Sequence, residues 1–345
     1  MDLVRALGWL GPGQYRTSPR AKPAALTGFH TLDYIAALQR AEDTQTVDEG
    51  AMTRHALGTT ANPVFPEMFR RPATGAGGVM LAAELVATGG VVHTPGGGTH
   101  HAMADRANGF CYLNDPVLCL LALRRLGLSR IAYVDIDAHH ADGVEAALGG
   151  DDDMLLISVH EENRWPYTGK LDDTGGGRSI NLPVPRGFND TEMRHVLHRL
   201  ILPVLDQFAP QAVVLQCGSD AILEDPLSRL ALSNNAHVEV AAALRDLSPR
   251  FIALGGGGYN PWSVARCWTR VWGALNGLDA SGDLPTVAQD ILRDLSWNRR
   301  GPAWQVQPHW TATLNDPPRE GPVRSELADR VDRLRQRCSA TAGVS

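Results

Sequence analysis

Two short segments concentrate side chains that can hold a cation. Asp135-Ile136-Asp137-Ala138-His139-His140-Ala141-Asp142 closes an apolar run that starts at Ile131, and Cys217-Gly218-Ser219-Asp220 closes one that starts at Ala212. Asp137 and His139 stand two apart, so on extended backbone both side chains point the same way. With Asp220 from a second segment they make an O,N,O set. Three protein ligands leave coordination positions for water and substrate, as a catalytic zinc site requires. The oxygen-rich set also suits Fe(II), Co(II) or Mn(II), so the presence of a metal is read more firmly than its identity. The plainer alternative is that such residues cap helices, since Asp142 stands where a following helix could begin.

Other segments offer matching chemistry. His100 and His101 follow Gly96-Gly97-Gly98-Thr99, a loop whose glycines let backbone approach a metal site closely. Asp135 and Asp142 are carboxylates that could each orient one of these imidazoles and tune its pKa. Tyr259 follows Gly255–Gly258 and precedes Asn260-Pro261, which reads as a helix N-cap with proline at the first helical position. Its phenol is either a packed rim side chain or a donor to a developing oxyanion. The four-glycine loop lacks both the Lys-Ser/Thr of a P-loop and the G-x-G-x-x-G spacing, which argues against nucleotide binding. His195 and His198, at i, i+3, fall off the apolar stripe of their helix and read as a solvated face.

Short β-branched runs and helix-length segments alternate around these sites. Expected strands are Val91–His93, Ile131–Ile136, Leu155–Val159, Ala212–Gln216 and Phe251–Leu254. Expected helices are Val79–Thr88, Val117–Leu126, Thr191–Phe208 and Ala236–Leu247. Asp190 is the expected N-cap of the third helix, and Pro203 should kink it. Near-continuous apolar strands separated by helices predict an α/β domain with a parallel sheet covered on both faces, whose chemistry lies beyond the strands' carboxyl ends. One domain over 1–337 with a frayed tail over 338–345 is the simplest organisation.

A formal net charge of −6 without long runs of one sign argues against nucleic acid as a partner. No apolar run approaches the roughly 20 residues that span a bilayer, so no membrane role is expected. Five scattered cysteines without a C-x-x-C pair suit a reducing compartment, and a cytoplasmic location is expected.

Several blocks resemble the histone deacetylase superfamily: Gly96–Ala102, Asn108-Gly109-Phe110-Cys111-Tyr112-Leu113-Asn114-Asp115, Tyr133–His140, Ser158-Val159-His160, Gly218-Ser219-Asp220 with Asp225-Pro226-Leu227, and Gly255–Asn260 running into Ala265–Thr269. The resemblance spans roughly residues 27 to 275 and is nearest the class I-like bacterial acetoin-utilisation deacetylases. It implies the arginase/deacetylase fold, with a central, mostly parallel sheet of eight strands. It implies zinc on Asp137, His139 and Asp220, with His101 (oriented by Asp142) as general base and then acid. His100, paired with Asp135, would assist electrostatically, and Tyr259 would bond the scissile carbonyl oxygen. Phe110 and Trp165 would line a tunnel, Leu227 would sit near its rim, and the Gly109 carbonyl would accept the substrate N–H. A monovalent cation, K+ or Na+, would use Asp135, Asp137, His139, Ser158 and Val159.

The substrate so implied is an acylated amine such as acetyl-lysine, with acetylpolyamine hydrolysis or a non-catalytic binding scaffold as alternatives. A two-metal ureohydrolase is a weaker fit, because Ala221-Ile222-Leu223-Glu224 separates Asp220 from Asp225-Pro226, with no second carboxylate two residues on. Three departures stand out. Ala141 replaces the usual glycine before Asp142, and Ala61 stands where an acidic residue usually holds the substrate backbone. The chain opens at Asp2-Leu3-Val4-Arg5, where members usually carry a further strand and a Pro-x-x-Arg-like segment.

Overall fold

Residues that are apolar in unbroken runs form the centre of one parallel sheet. The computed structural model describes residues 1–177, 179–279, 281–299 and 305–342. Its strands are β1 (Gly90–Thr94), β2 (Ile131–Asp135), β3 (Met154–Glu161), β4 (Ser179–Val184), β5 (Ala212–Gln216) and β6 (Arg250–Leu254). Their order is β1-β6-β5-β2-β3-β4, with every neighbouring pair parallel. β2, β3 and β5 are buried at every residue, as strands covered on both faces must be.

Alternation along β2 divides the core. Ala132 and Val134 join the layer built with the helices Asn234–Arg245, Pro261–Leu275 and Ser325–Ala342. Ile131 and Tyr133 face the layer built with Arg70–Leu85, Asp115–Arg125 and Asp142–Leu148.

The sheet departs from the expected eight strands: six are present among the described residues. No strand precedes β1, which forms one edge, and the chain begins instead with the helix Asp2–Ala6. β4 was not foreseen, because Asn181 and Pro183 interrupt its apolar pattern. Its edge position explains the tolerance, since a proline lacking N–H can sit where one side of the ladder is unbonded.

One further expectation is corrected. The helix N-cap is Asn189, not Asp190: Asn189 Oδ1 accepts from Glu192 N at 3.1 Å, and the Glu192 carboxylate accepts from Asn189 N, a reciprocal capping box. Asp190 is occupied by Ser233 and Arg319 N instead. Directly before Pro203 the helix passes through a π-turn over Leu197–Ile201, where Leu202 N reaches back five residues to Leu197 O. At the C-terminus the helix Ser325–Ala342 takes in residues 338–342, and residues 343–345 of the expected tail lie outside the described residues. All five cysteines are unpaired. No helix of the described residues is long and apolar enough to cross a membrane.

Candidate active site

β1, β6, β5 and β2 are consecutive in the sheet, so their carboxyl ends lie side by side. Those ends run into His100-His101, Tyr259, Asp220, and Asp137 with His139, respectively. Parallel pairing thus gathers residues as far apart in sequence as His100 and Tyr259 at one edge of the sheet, where α/β proteins place their sites.

Asp137, His139 and Asp220 converge. One ligand atom from each lies within 4.8 Å of the others. His139 Nδ1 is 2.9 Å from Asp220 Oδ2 and 3.2 Å from Asp137 Oδ1. Backbone amides hold the outer carboxylate oxygens: Gly257 N donates to Asp137 Oδ2 at 2.7 Å and Ala138 N to Asp220 Oδ1 at 2.9 Å. Gly218 and Gly257 make room for this, since a Cβ at either would sit 2.1 Å from a carboxylate oxygen of Asp137 or Asp220. Burial pushes Asp220 up to about 6, and the neighbouring charge of Asp137 adds to it. Burial also pushes Asp137 up, but the positive charges of His100 and His139 outweigh it and hold it well below the usual range. On His139, burial is overcome by the bonds to Asp137 and Asp220, which raise it to about 10. Two buried carboxylates thus draw a positive charge to the point between them. The O,N,O donor set and its glycine cradle fit a divalent ion.

Behind this cluster stand two imidazole–carboxylate pairs. His100 Nδ1 donates to Asp135 Oδ2 at 2.7 Å, and His101 Nδ1 donates to Asp142 Oδ1 at 2.6 Å. With both Nδ1 atoms so engaged, the Nε2 atoms face each other at 3.0 Å, and only one can carry a proton. On His100, burial is outweighed by Asp135 and Asp137, which raise it to about 9. Burial, followed by the charge of His100, lowers His101 to about 4. Near neutral pH these shifts favour a cationic His100 and a neutral His101, whose unprotonated Nε2 faces His100 Nε2.

The carboxylates are themselves held. Asp135 accepts from Tyr133 OH at 2.6 Å and from Asp137 N at 2.9 Å, and Asp142 Oδ2 accepts from Asn108 Nδ2 at 2.9 Å. Ala141 leaves Asp142 within bonding distance of His101, so its methyl is accommodated. Asp142 opens the helix Asp142–Leu148 from its first turn while bonding His101, so helix start and imidazole partner are combined in one residue.

Tyr259 N donates to Asp225 Oδ2 at 2.7 Å, and Leu227 N to Asp225 Oδ1 at 2.8 Å, so one carboxylate ties the phenol's loop to Leu227. Burial, then the charges of Asp220 and Asp137, push the phenol pKa up and keep the O–H protonated. Both Asp225 oxygens accept from these amides. Asn260 accepts from Trp262 N and Ser263 N and caps the helix Pro261–Leu275, as expected from the sequence. The Trp165 ring lies 4.6 Å from His101 and 6.2 Å from His139, centroid to centroid. Gly109 faces Trp165 so closely that a Cβ there would meet the indole at 2.0 Å. Phe110 is 59 % exposed next to it, its N–H bonded to Ala61 O and Asn62 Oδ1. Ser158 pairs with Asp135 across β2–β3, but its hydroxyl is bonded to His160 Nδ1.

Residues that sequence reasoning left without a role complete the frame. Asp115 binds Gly98 N, Thr99 N and the Thr99 hydroxyl, and Asn114 Nδ2 donates to His100 O and Ala102 O. These shape the loop that presents both histidines. In the sequence both residues stood only within the block Asn108–Asp115 that resembles the family.

Residues 2–275 match the histone deacetylase domain. The chain belongs to the histone deacetylase family. It is 32% identical to the acetoin utilization protein AcuC of Bacillus subtilis over 298 residues, 82% of this chain and 77% of AcuC. It is 35% identical to histone deacetylase RPD3 of Saccharomyces cerevisiae over 277 residues, 77% of this chain and 64% of RPD3. It spans 54% of a similar protein, the putative histone deacetylase 2 of Caenorhabditis elegans. Crystal structures of a histone deacetylase homologue from Aquifex aeolicus and of such a homologue complexed with SAHA each superpose with a TM-score of 0.90 at 35% identity, over 96% of this chain and 91% of theirs. The sheet described above is therefore the arginase/deacetylase fold, here with six strands.

Proposed function

We propose that the chain is a zinc-dependent deacetylase that hydrolyses the amide of acetyl-lysine or a similar acylated amine. The observation that carries the reading is the Asp137–His139–Asp220 cluster beside two adjacent histidines whose Nδ1 atoms are each held by a carboxylate. A divalent ion on that cluster, Zn2+ or Fe2+, supplies Lewis acidity toward the substrate carbonyl and acidifies a water.

The protein's own groups supply the rest. Neutral His101 takes a proton from the attacking water at Nε2 and later returns it to the departing amine nitrogen. Asp142 keeps the His101 Nδ1 proton in place through both transfers. Cationic His100, held by Asp135, steadies negative charge as it develops at the carbonyl. The Tyr259 O–H donates to the carbonyl oxygen, a bond that strengthens as that oxygen becomes an oxyanion. Phe110 and Trp165 enclose the alkyl chain, the Gly109 carbonyl accepts the substrate N–H, and Leu227 borders the entrance. Ser158 and Val159, with Asp135, Asp137 and His139, would hold a K+ or Na+ ion.

The test pairs metal content with turnover. Protein loaded with Zn(II) or Fe(II) is assayed against acyl-lysine peptides and acetylpolyamines. Hydrolysis of acetyl-lysine that disappears on chelation and returns with metal supports the reading. Tight ligand binding by metal-loaded protein without hydrolysis of any substrate would mark a binding scaffold instead.

A further inference from the structure

The loop after β3, which carries Trp165, and the loop that carries Leu227 face each other at the proposed entrance, and one side chain joins them. Arg164 Nε and an Nη donate to the two Glu161 carboxylate oxygens at 2.5 and 3.3 Å, while its other Nη donates to Leu227 O at 2.6 Å. Glu161 is the last residue of β3, is buried, and also accepts from Arg229 N at 2.7 Å. The guanidinium is a rigid planar fork, so its anchoring on a strand end fixes the direction in which it grips the facing wall.

That facing wall is itself registered to the chemistry. Asp225 joins Leu227 N to Tyr259 N, and Ser228 Oγ donates to Asp220 O at 2.5 Å. Arg164 therefore sets the place of Trp165 relative to a wall already fixed to the metal cluster and the phenol. The Trp165 loop needs such a hold. Asn163 and Tyr167 flank it with φ of 55° and 65°, left-handed backbone that a tyrosine disfavours and that persists only where surrounding bonds enforce it.

We propose that Arg164, held by Glu161, is a positioning residue that sets substrate selectivity: it fixes the gap between Trp165 and Leu227 so that an unbranched acylated-amine chain passes and one branched near the amide does not. This rests on the deacetylase reading and names the shape of substrate that reading leaves open. Among the described residues of this rim, Glu161 pairs with Arg164, Glu162 with Arg330 and Glu224 with Arg319, and Asp225 accepts from two amides, so the proposed selection works by width.

The experiment uses zinc-loaded full-length protein and two alkyl hydroxamates, one with a straight linker and one with a single methyl branch on the linker. The wild type should bind the straight probe more tightly by about 30-fold, within the range one misfitted methyl produces in a close-fitting pocket. Arg164→Ala should shrink that preference to about 3-fold or less, while raising KM for an acyl-lysine peptide more than it lowers kcat. Arg164→Lys, which can still donate to Leu227 O, should recover part of the preference. Glu161→Gln should shift it in the same direction as Arg164→Ala. Thermal midpoints identify any variant that fails to fold, and the remaining variants decide. An unchanged preference in folded Arg164→Ala, or an equal loss of affinity for both probes, overturns the role of Arg164 and leaves the deacetylase reading standing. Failure of the zinc-loaded wild type to bind either probe overturns both.

Discussion

The proposed inner chamber and the proposed entrance are built by different means. In the chamber, Asp135, Asp137, Asp220, His100 and His101 are all buried, stand at strand ends or on a loop pinned by Asp115, and bond to backbone amides or to each other. At the entrance, Phe110 and Tyr167 are exposed at 59 % and 71 %, and the walls are held by side chains reaching across loops, such as Arg164 to Leu227 O. A buried group loses water as a partner, so a misplaced chamber atom is uncompensated, whereas a displaced entrance side chain is resolvated. Chamber substitutions should thus act on the chemical step, and entrance substitutions on fit and stability.

That contrast orders four outcomes. His101→Ala should have the largest effect, lowering kcat/KM by about 10²–10⁴-fold, because it removes the proposed proton carrier. An unchanged rate in a peptide assay would remove His101 from the mechanism. Tyr259→Phe should lower kcat by about 10²–10³-fold with little change in affinity for a hydroxamate, since the lost bond matters most to the oxyanion. Equal losses in kcat and in hydroxamate affinity would place the phenol in binding instead.

Asn108→Ala sharpens the comparison further. Asn108 reaches the reacting groups only through Asp142 and His101, so its loss should lower kcat by about 10-fold, in line with outer-layer partners of catalytic groups. A loss as large as that of His101→Ala would show the chamber to depend on its scaffold as much as on its base. The smallest effect belongs to the outer anchor of the entrance loop, where Arg333 pairs with Asp172 at 2.7 Å and both side chains are more than half exposed. Arg333→Ala should lower unfolding free energy by no more than about 1 kcal/mol in urea titrations, as solvent screens the pair. A larger loss would show that the C-terminal helix carries the entrance loop.

The residues that do the proposed chemistry were legible because their types are anomalous where they occur. Carboxylates and imidazoles directly after apolar strands need a reason to be there, and spacing alone put Asp137 and His139 on one side. Asp190 shows the limit of such reading: capping depends on which neighbour reaches an amide, and there Asn189 prevailed. β4 was hidden because its Pro183 is tolerated only at a sheet edge, and edge status belongs to the assembled sheet.

What the sequence by itself determined is the set of groups and their order along the chain: which strand ends carry Asp137, His139, Asp220, His100, His101 and Tyr259. What only the tertiary structure decided is their spacing and the bonds between loops: that Asp225 spans Leu227 and Tyr259, and that Arg164 crosses to Leu227 O. The physical reason is range. Side-chain direction on a strand follows from local backbone periodicity, whereas a hydrogen bond between residues dozens of positions apart exists only once parallel pairing has set β1, β6, β5 and β2 side by side.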